Sequence, residues 1–366
     1  MNVLVFRVGQ LGDTLAALPA FSVVREHFKN DRLTLLSDLQ HGKKYVLARD
    51  LLRGAGIFDA FMTYTFHPLR ALRWLHLAWL LLRLRAGRFD VLVYLNPPER
   101  PEADVQRDRR FFRWAGIRQF IGMERVYALP AKIPGQPLPV LPHEADLVLA
   151  RLAASGITLP KPGSERVDLN LGDAEQRAVN EWLAGLPSDG DRTWIGVAPG
   201  SKMASKTWPA EHFQETVAKL ISAHDFWPVV LGGSEDAALG DALIATWKRG
   251  YNAAGKLNLR ASAAALAHCR FYLGNDTGTM HLAASVGTPC VAVFSARDYP
   301  GRWYPYRVPQ RILRTSIECE GCMLFECVER KMECVRAITV DQVVHASEEL
   351  LTALAPSKPV APDKIA

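Results

Sequence analysis

Short apolar runs alternate with longer stretches of helical spacing along almost the whole chain. VLVFRV at 3–8 is a continuous hydrophobic run ending in a Gly-containing turn, and positions 14–28 repeat their apolar residues at helical spacing. RLTLLS at 32–37 and DVLVYLN at 90–96 predict a second and a third strand, with a helix over 69–86 between them. A proline-rich stretch at 129–142 breaks the pattern, 143–155 is helical, and a second loop-like stretch fills 159–173. The rhythm then restarts. Helices are predicted at 173–183, 210–222, 234–247, 278–285 and 340–353, and strands at 193–199, 227–233, 270–276 and 289–295, before a polar, Pro-containing end. Continuous apolar strands between helices predict parallel sheets covered on both faces. The fold class is therefore α/β, with two similar units: 1–172, then 173–340, then a terminal helix and tail at 341–366. Two such units facing each other leave a cleft at the carboxyl ends of their strands, where ligands bind.

The chain has 366 residues, enough for two cores, and its 49% apolar and 22% charged content is that of a globular protein. A net charge of +6 allows an anionic ligand or membrane surface and does not mark a nucleic-acid binder. The start reads as a buried strand rather than a leader. The longest apolar run, Leu77–Leu82, is far below the about 20 residues a membrane span needs. A cytoplasmic protein with reduced cysteines is the expectation.

Four strand–loop–helix junctions carry candidate chemistry. Gly9-Gln10-Leu11-Gly12-Asp13-Thr14 follows the first strand; its two glycines lack the spacing of the dinucleotide fingerprint, so a dehydrogenase is disfavoured. Asp13 is either a cap of the following helix or a general base pointing into the cleft. Ala198–Lys202 and Lys206–Phe213 flank a loop where Ser201, Lys202 and Lys206 can hold phosphate, or lie solvated. Leu231-Gly232-Gly233-Ser234-Glu235-Asp236 ends another strand; Glu235 can accept from ribose hydroxyls, or the acids serve the helix dipole. Gly274–Pro289 is the most specific stretch. Asp276 can hold sugar hydroxyls, Thr277 and Gly278 open a helix N-terminus suited to an anion, and His281 faces the ligand or packs beneath the loop.

Taken together, VLVFRVGQLGDTLAALPA, APGSKMASKTWPAEHF, LGGSED and GNDTGTMHLAASVGTPCVAVF, in that order, resemble glycosyltransferase family 9, the heptosyltransferases of lipopolysaccharide core assembly. The resemblance covers nearly the whole chain. It implies a GT-B architecture, two Rossmann-like domains across a cleft, and an inverting transferase that needs no metal for catalysis. It implies Asp13 as general base, with Gly9 and Gly12 in its loop. Ser201, Lys202 and Lys206 would bind donor phosphate, although Lys202 stands where the family favours a hydroxyl. Glu235 would bind ribose, and Asp276, Thr277 and Gly278, with His281 beside them, the sugar and diphosphate. Lys256, within Gly255–Leu257, falls where the nucleobase rests. The implied partners are a nucleotide-sugar donor, foremost ADP-heptose, and a glycolipid acceptor at the inner membrane surface. Alternatives are another sugar, a protein or O-antigen acceptor, or a non-catalytic scaffold.

Two features lie outside these motifs. Cys319-x2-Cys322-x4-Cys327-x6-Cys334 is compact enough for a structural Zn or iron–sulfur site, for disulfides, or for free packing thiols, whereas Cys269 and Cys290 read as core. The helix at 69–88 carries Arg70, Arg73, Arg83, Arg85 and Arg88 around apolar residues that include Trp74 and Trp79. It is either a covering helix with snorkelling arginines or an element that docks on an anionic leaflet. Arg100, Arg107, Arg109, Arg110 and Arg113 follow, as an acceptor-facing basic surface or a solvated face.

Overall fold

A computed structural model describes residues 1–39, 47–65, 69–97, 99–124, 127–133, 135–161, 164 and 167–355. The predicted tail beyond 355 lies outside the described residues. The first half runs β1 (Asn2–Phe6), α1 (Leu11–Ala16), α2 (Leu18–His27), β2 (Arg32–Leu39), α3 (Ala48–Leu52), β3 (Ala60–Thr65), α4 (Arg70–Gly87), β4 (Val91–Tyr94), α5 (Glu102–Trp114), β5 (Gln119–Ile121) and α6 (Glu144–Ala154). The second half opens with α7 (Asp173–Leu183), β6 (Trp194–Ala198), α8 (Ala210–His224), β7 (Trp227–Val230), α9 (Ala237–Trp247) and β8 (Tyr251–Asn252). It ends with α10 (Leu259–Ala267), β9 (Tyr272–Asn275), α11 (Gly278–Ser285), β10 (Cys290–Phe294), β11 (Gln310–Arg314), α12 (Glu333–Arg336) and α13 (Val340–Ala353).

The strands form two sheets, ordered β3-β2-β1-β4-β5 and β11-β10-β9-β6-β7-β8. Every recorded pairing is parallel. Central strands buried on both faces explain the continuous apolar runs: Val3, Leu4, Val5 and Val91–Tyr94 are fully buried. The order of each sheet reverses between β1 and β4 and between β6 and β9. These are topological switch points, where loops splay apart and leave a crevice. The chain places its Gly-rich junctions there.

The two halves are stapled together. Arg260 on α10 is 8% exposed; it donates to the carbonyls of Leu51, Leu169 and Asn170 at 3.0–3.1 Å and pairs with Glu175 at 2.6 Å. Glu144, at the start of α6, is wholly buried between Arg7 of the first sheet (3.4 Å) and Arg302 beyond β10 (3.1 Å). Arg302 also pairs with Glu99. His143 caps α6: its Nδ1 accepts from the Ala145 amide at 3.0 Å, which leaves Nε2–H to donate to the Tyr304 carbonyl at 2.9 Å. Burial pushes His143 down to about 4, so the ring stays neutral.

Candidate active site

The loops at both switch points open into one cavity of about 710 Å³. The first half contributes Gln10–Asp13, and the second contributes Gly200–Met203, Lys206, Leu231–Asp236, Gly255, Leu257, Asp276–Thr279 and His281. The cavity thus gathers Asp13, Gly12, Ser201, Lys202, Lys206, Glu235, Asp276, Thr277, Gly278 and His281. Gly9 and Lys256 are not among its lining residues, while Gly255 and Leu257 on either side of Lys256 are. Lys256 is exposed beside Gly255, whose N–H donates to the Gly232 carbonyl at 3.2 Å. Gly9 works on Asp13 instead: it adopts φ +127°, and a Cβ there would stand 2.5 Å from the Cβ and Cγ of Asp13.

Asp13 does not start its helix. It is the third residue of α1, and its Oδ2 accepts the Gln10 amide at 2.8 Å. The other oxygen lies 3.7 Å from Arg7, and the side chain is 27% exposed. One oxygen caps the helix, the other pairs with Arg7, and the residue lines the cavity. Gly12 serves contact between the halves: a Cβ would meet the His281 ring at 3.0 Å, just as one on Gly278 would meet Leu11 at 2.9 Å. His281 is 6% exposed and burial lowers it to about 3, with His143 and Lys206 adding to the effect. It is a neutral packing ring at the cavity wall, edge-on to Trp303.

Lys206 and Asp276 form a tight pair at 2.6 Å, 13% and 6% exposed. Between them and the first turn of α11 lies a concentration of donors. The first amides of a helix have no partner within it, and the helix dipole favours an anion there. Asn275 holds this arrangement together: its Oδ1 accepts the Trp208 amide at 3.0 Å and its Nδ2 donates to the Pro199 carbonyl at 2.7 Å. It therefore clamps the end of β9 to the loop after β6 across the switch point. Asp236 receives the Gly233 amide at 2.8 Å, and a Cβ on Gly200 or Gly232 would collide with its carboxylate. Burial raises Asp236 above the usual carboxylate range. Glu235 beside it is exposed at the rim.

Arg297, Asp298 and Trp303 also line the cavity and escaped the sequence reading. The available signal was their place just after β10, another strand that opens toward the cleft. Arg297 donates to the carbonyls of Met323 and Leu324 at 2.8 Å, and Ser205 Oγ donates to the Leu324 carbonyl at 2.7 Å. These bonds fasten the cysteine-rich loop to the Ser201–Lys206 loop. Cys319, Cys322, Cys327 and Cys334 are half-buried free thiols close enough to affect one another electrostatically: burial first, then the neighbouring thiols, raises Cys334. Among the described residues no group of three or more His, Cys, Asp or Glu side chains is arranged to hold a metal ion. Cys269 and Cys290 are buried free thiols, as expected of core cysteines.

Two parallel α/β halves whose switch-point loops share one cleft define the GT-B class of glycosyltransferase folds. Solved structures agree on the fold: a family 9 glycosyl transferase from Veillonella parvula superposes with TM-score 0.70 at 21% identity, covering 96% of this chain and 97% of that one. The heptosyltransferase II of E. coli gives TM-score 0.68 at 20% identity, covering 96% and 99%. Residues 143–333 match the model of glycosyltransferase family 9 (heptosyltransferase), more than half of the chain, and the chain belongs to that family. Lipopolysaccharide heptosyltransferase 2 of Salmonella typhimurium is 31% identical over 112 residues, and so is that of Escherichia coli. In each case the match covers 28% of this chain and 31% of the relative's length.

Proposed function

We propose that this protein transfers a heptose from ADP-heptose to a lipopolysaccharide core glycolipid, with inversion at the anomeric carbon and without a catalytic metal. One observation carries the reading: Asp13 from the first half faces Lys206, Asp276 and the first turn of α11 across a single cavity. Family membership and the names of the curated relatives support the sugar and the acceptor. Asp13 takes the proton of the acceptor hydroxyl as that oxygen attacks the anomeric carbon from the face opposite the diphosphate. The bond from that carbon to the phosphate oxygen breaks, and its electron pair leaves with the diphosphate. Lys206, Ser201 and the amides at Thr277–Thr279 hold the growing charge from fixed positions. Glu235 binds the ribose, and Asp276 the sugar hydroxyls. The reaction is placed at the cytoplasmic face of the inner membrane, where a lipid-linked acceptor would be met.

The test incubates the purified chain with ADP-heptose and a lipid-linked core acceptor and weighs the product by mass spectrometry. One added heptose per acceptor and one ADP released are expected. Asp13→Asn is expected to slow transfer at least about a hundredfold while ADP affinity stays within a few fold. Undiminished transfer by that variant would remove the base assignment. A different accepted sugar or acceptor would redirect the substrate, and no transfer with any would favour the scaffold alternative.

A further inference from the structure

Helix α4 has two apolar faces, and only one is covered. Leu80 and Leu84 are 3% and 0% exposed and anchor the helix on the core of the first sheet. On the opposite side Leu72, Leu75, Trp79 and Leu82 recur at intervals of three and four residues, a single stripe, and are 38–65% exposed with Trp74 beside them. Of the two readings of this helix, a covering element or a docking one, the buried inner face fits the first and leaves the exposed apolar stripe to be accounted for. The sequence of α4 contains no acidic residue. Arg73 and Arg85 are exposed on it, and Arg83 stacks over the Trp79 ring at 4.4 Å; the side chain of Arg70 lies outside the described residues. Arg85 Nε also donates to the Trp114 carbonyl at 2.9 Å, which joins the end of α4 to that of α5. There Trp114 is 66% exposed and Arg110 and Arg113 add positive charge. The acids of α5 lie toward its other end, where Asp104 pairs with Arg107 and Asp108 with Arg100 and Arg107.

We propose that the outward face of α4, together with Trp114, docks on an anionic lipid bilayer. A band of Trp and Leu rimmed by arginines fits the boundary between acyl chains and negative head groups: the rings and leucines enter the apolar edge while the guanidinium groups stay with phosphate. A second copy is the weaker occupant, since a two-fold contact through this face would set the same arginines against each other with no acid on α4 to pair them. The start of this face lies on the side of the sheet that carries Asp13. In a parallel sheet each crossover helix begins at the carboxyl edge of its strand, so Leu72–Leu75 lie at the edge from which the Gly9–Asp13 loop also emerges. Any bearing of this placement on transfer rests on the proposed acceptor; the docking itself does not.

Vesicle co-sedimentation of the full chain tests it. Vesicles with about 30% phosphatidylglycerol in phosphatidylcholine should pellet the protein, pure phosphatidylcholine at least about tenfold less, and raising salt from about 0.1 to about 0.5 M should weaken the anionic binding. Leu75→Glu with Trp79→Glu should abolish pelleting while thermal unfolding and ADP titration stay unchanged, because both side chains point to solvent. Arg73→Gln with Arg85→Gln should reduce it and flatten the salt dependence. Pelleting that survives the Glu pair, or none on anionic vesicles, overturns the proposal. A dimer in sedimentation velocity that the Glu pair dissolves would give the face to a second copy instead. Failure of ADP-heptose transfer in wild-type protein that still binds vesicles would sink the functional reading alone.

Discussion

The two halves share one architecture and use it differently. The second half turns several successive strand ends toward the cavity, and its polar groups there are locked: Asn275 clamps two loops and Asp276 holds Lys206. The first half gives the cavity one short loop, Gln10–Asp13, and spends its other distinctive chemistry on an apolar outer face. Under the proposed function, the difference suits a donor site preorganised against charge and a first half that admits a bulky acceptor. The buried carboxylate of Glu144 spans the two halves, alongside the Arg260 bonds and the contact of Gly12 with His281.

Removing that bridge should have the largest effect. Glu144→Ala leaves Arg7 and Arg302 buried without their shared partner, and breaking a buried ion pair of this kind costs about 3–5 kcal/mol. Thermal unfolding should fall by several degrees, and Asp13, 3.7 Å from Arg7, should lose part of its anchoring. An unchanged unfolding temperature would show that this bridge adds nothing to what packing and the Arg260 bonds already hold.

A smaller effect sharpens the contact of Gly12 with His281. The folded state keeps His281 neutral down to about 3, whereas an unfolded His titrates near 6.5. The unfolded chain therefore binds the extra proton between those values, and stability falls as the solution is acidified from about pH 6.5. The ceiling is about 1.4 kcal/mol per pH unit for this one ring. His281→Asn should flatten the decline of unfolding temperature between pH 6.5 and 5, and an unaltered slope would assign it to other groups such as His143.

The smallest effect concerns the cysteine loop, which changes chemistry more than stability. As arranged, Cys319, Cys322, Cys327 and Cys334 should react with a thiol reagent in the native protein. Cys269 and Cys290, which burial raises far above the usual thiol range, should react only after unfolding. Four protected thiols together with about one Zn or one iron cluster per chain would show that the loop tightens around a metal.

Sequence reading reached the parts that local pattern encodes. The central strands were visible as unbroken apolar runs. β3 (AFMTYT) is only half-buried, and β11 (QRILR) is a half-buried edge strand with too few hydrophobic positions to stand out. The Ala-rich α10 packs on nearly every side and so shows little periodicity, and α5 passed as a run of arginines after a strand. The cavity residues on the Gly-rich junctions were legible because each sits on a short turn between strand and helix, whereas Arg297, Asp298 and Trp303 lie in a longer connection without such a signal. The Glu144 bridge was not, because its partners lie 137 and 158 residues away and only the fold brings them together. The outward face of α4 was ambiguous for a related reason: spacing shows that a helix has two apolar stripes, not which one the core takes.

The central claim is that the cleft is a nucleotide-sugar site built on the second half. Isothermal titration with ADP, GDP, UDP and CDP tests it most directly. The account predicts selective binding of ADP, weakened at least about tenfold by Glu235→Ala and by Lys206→Ala, since each removes a polar group that the cavity presents to the ribose or the diphosphate. Binding of no nucleotide, or binding that neither substitution disturbs, would contradict it.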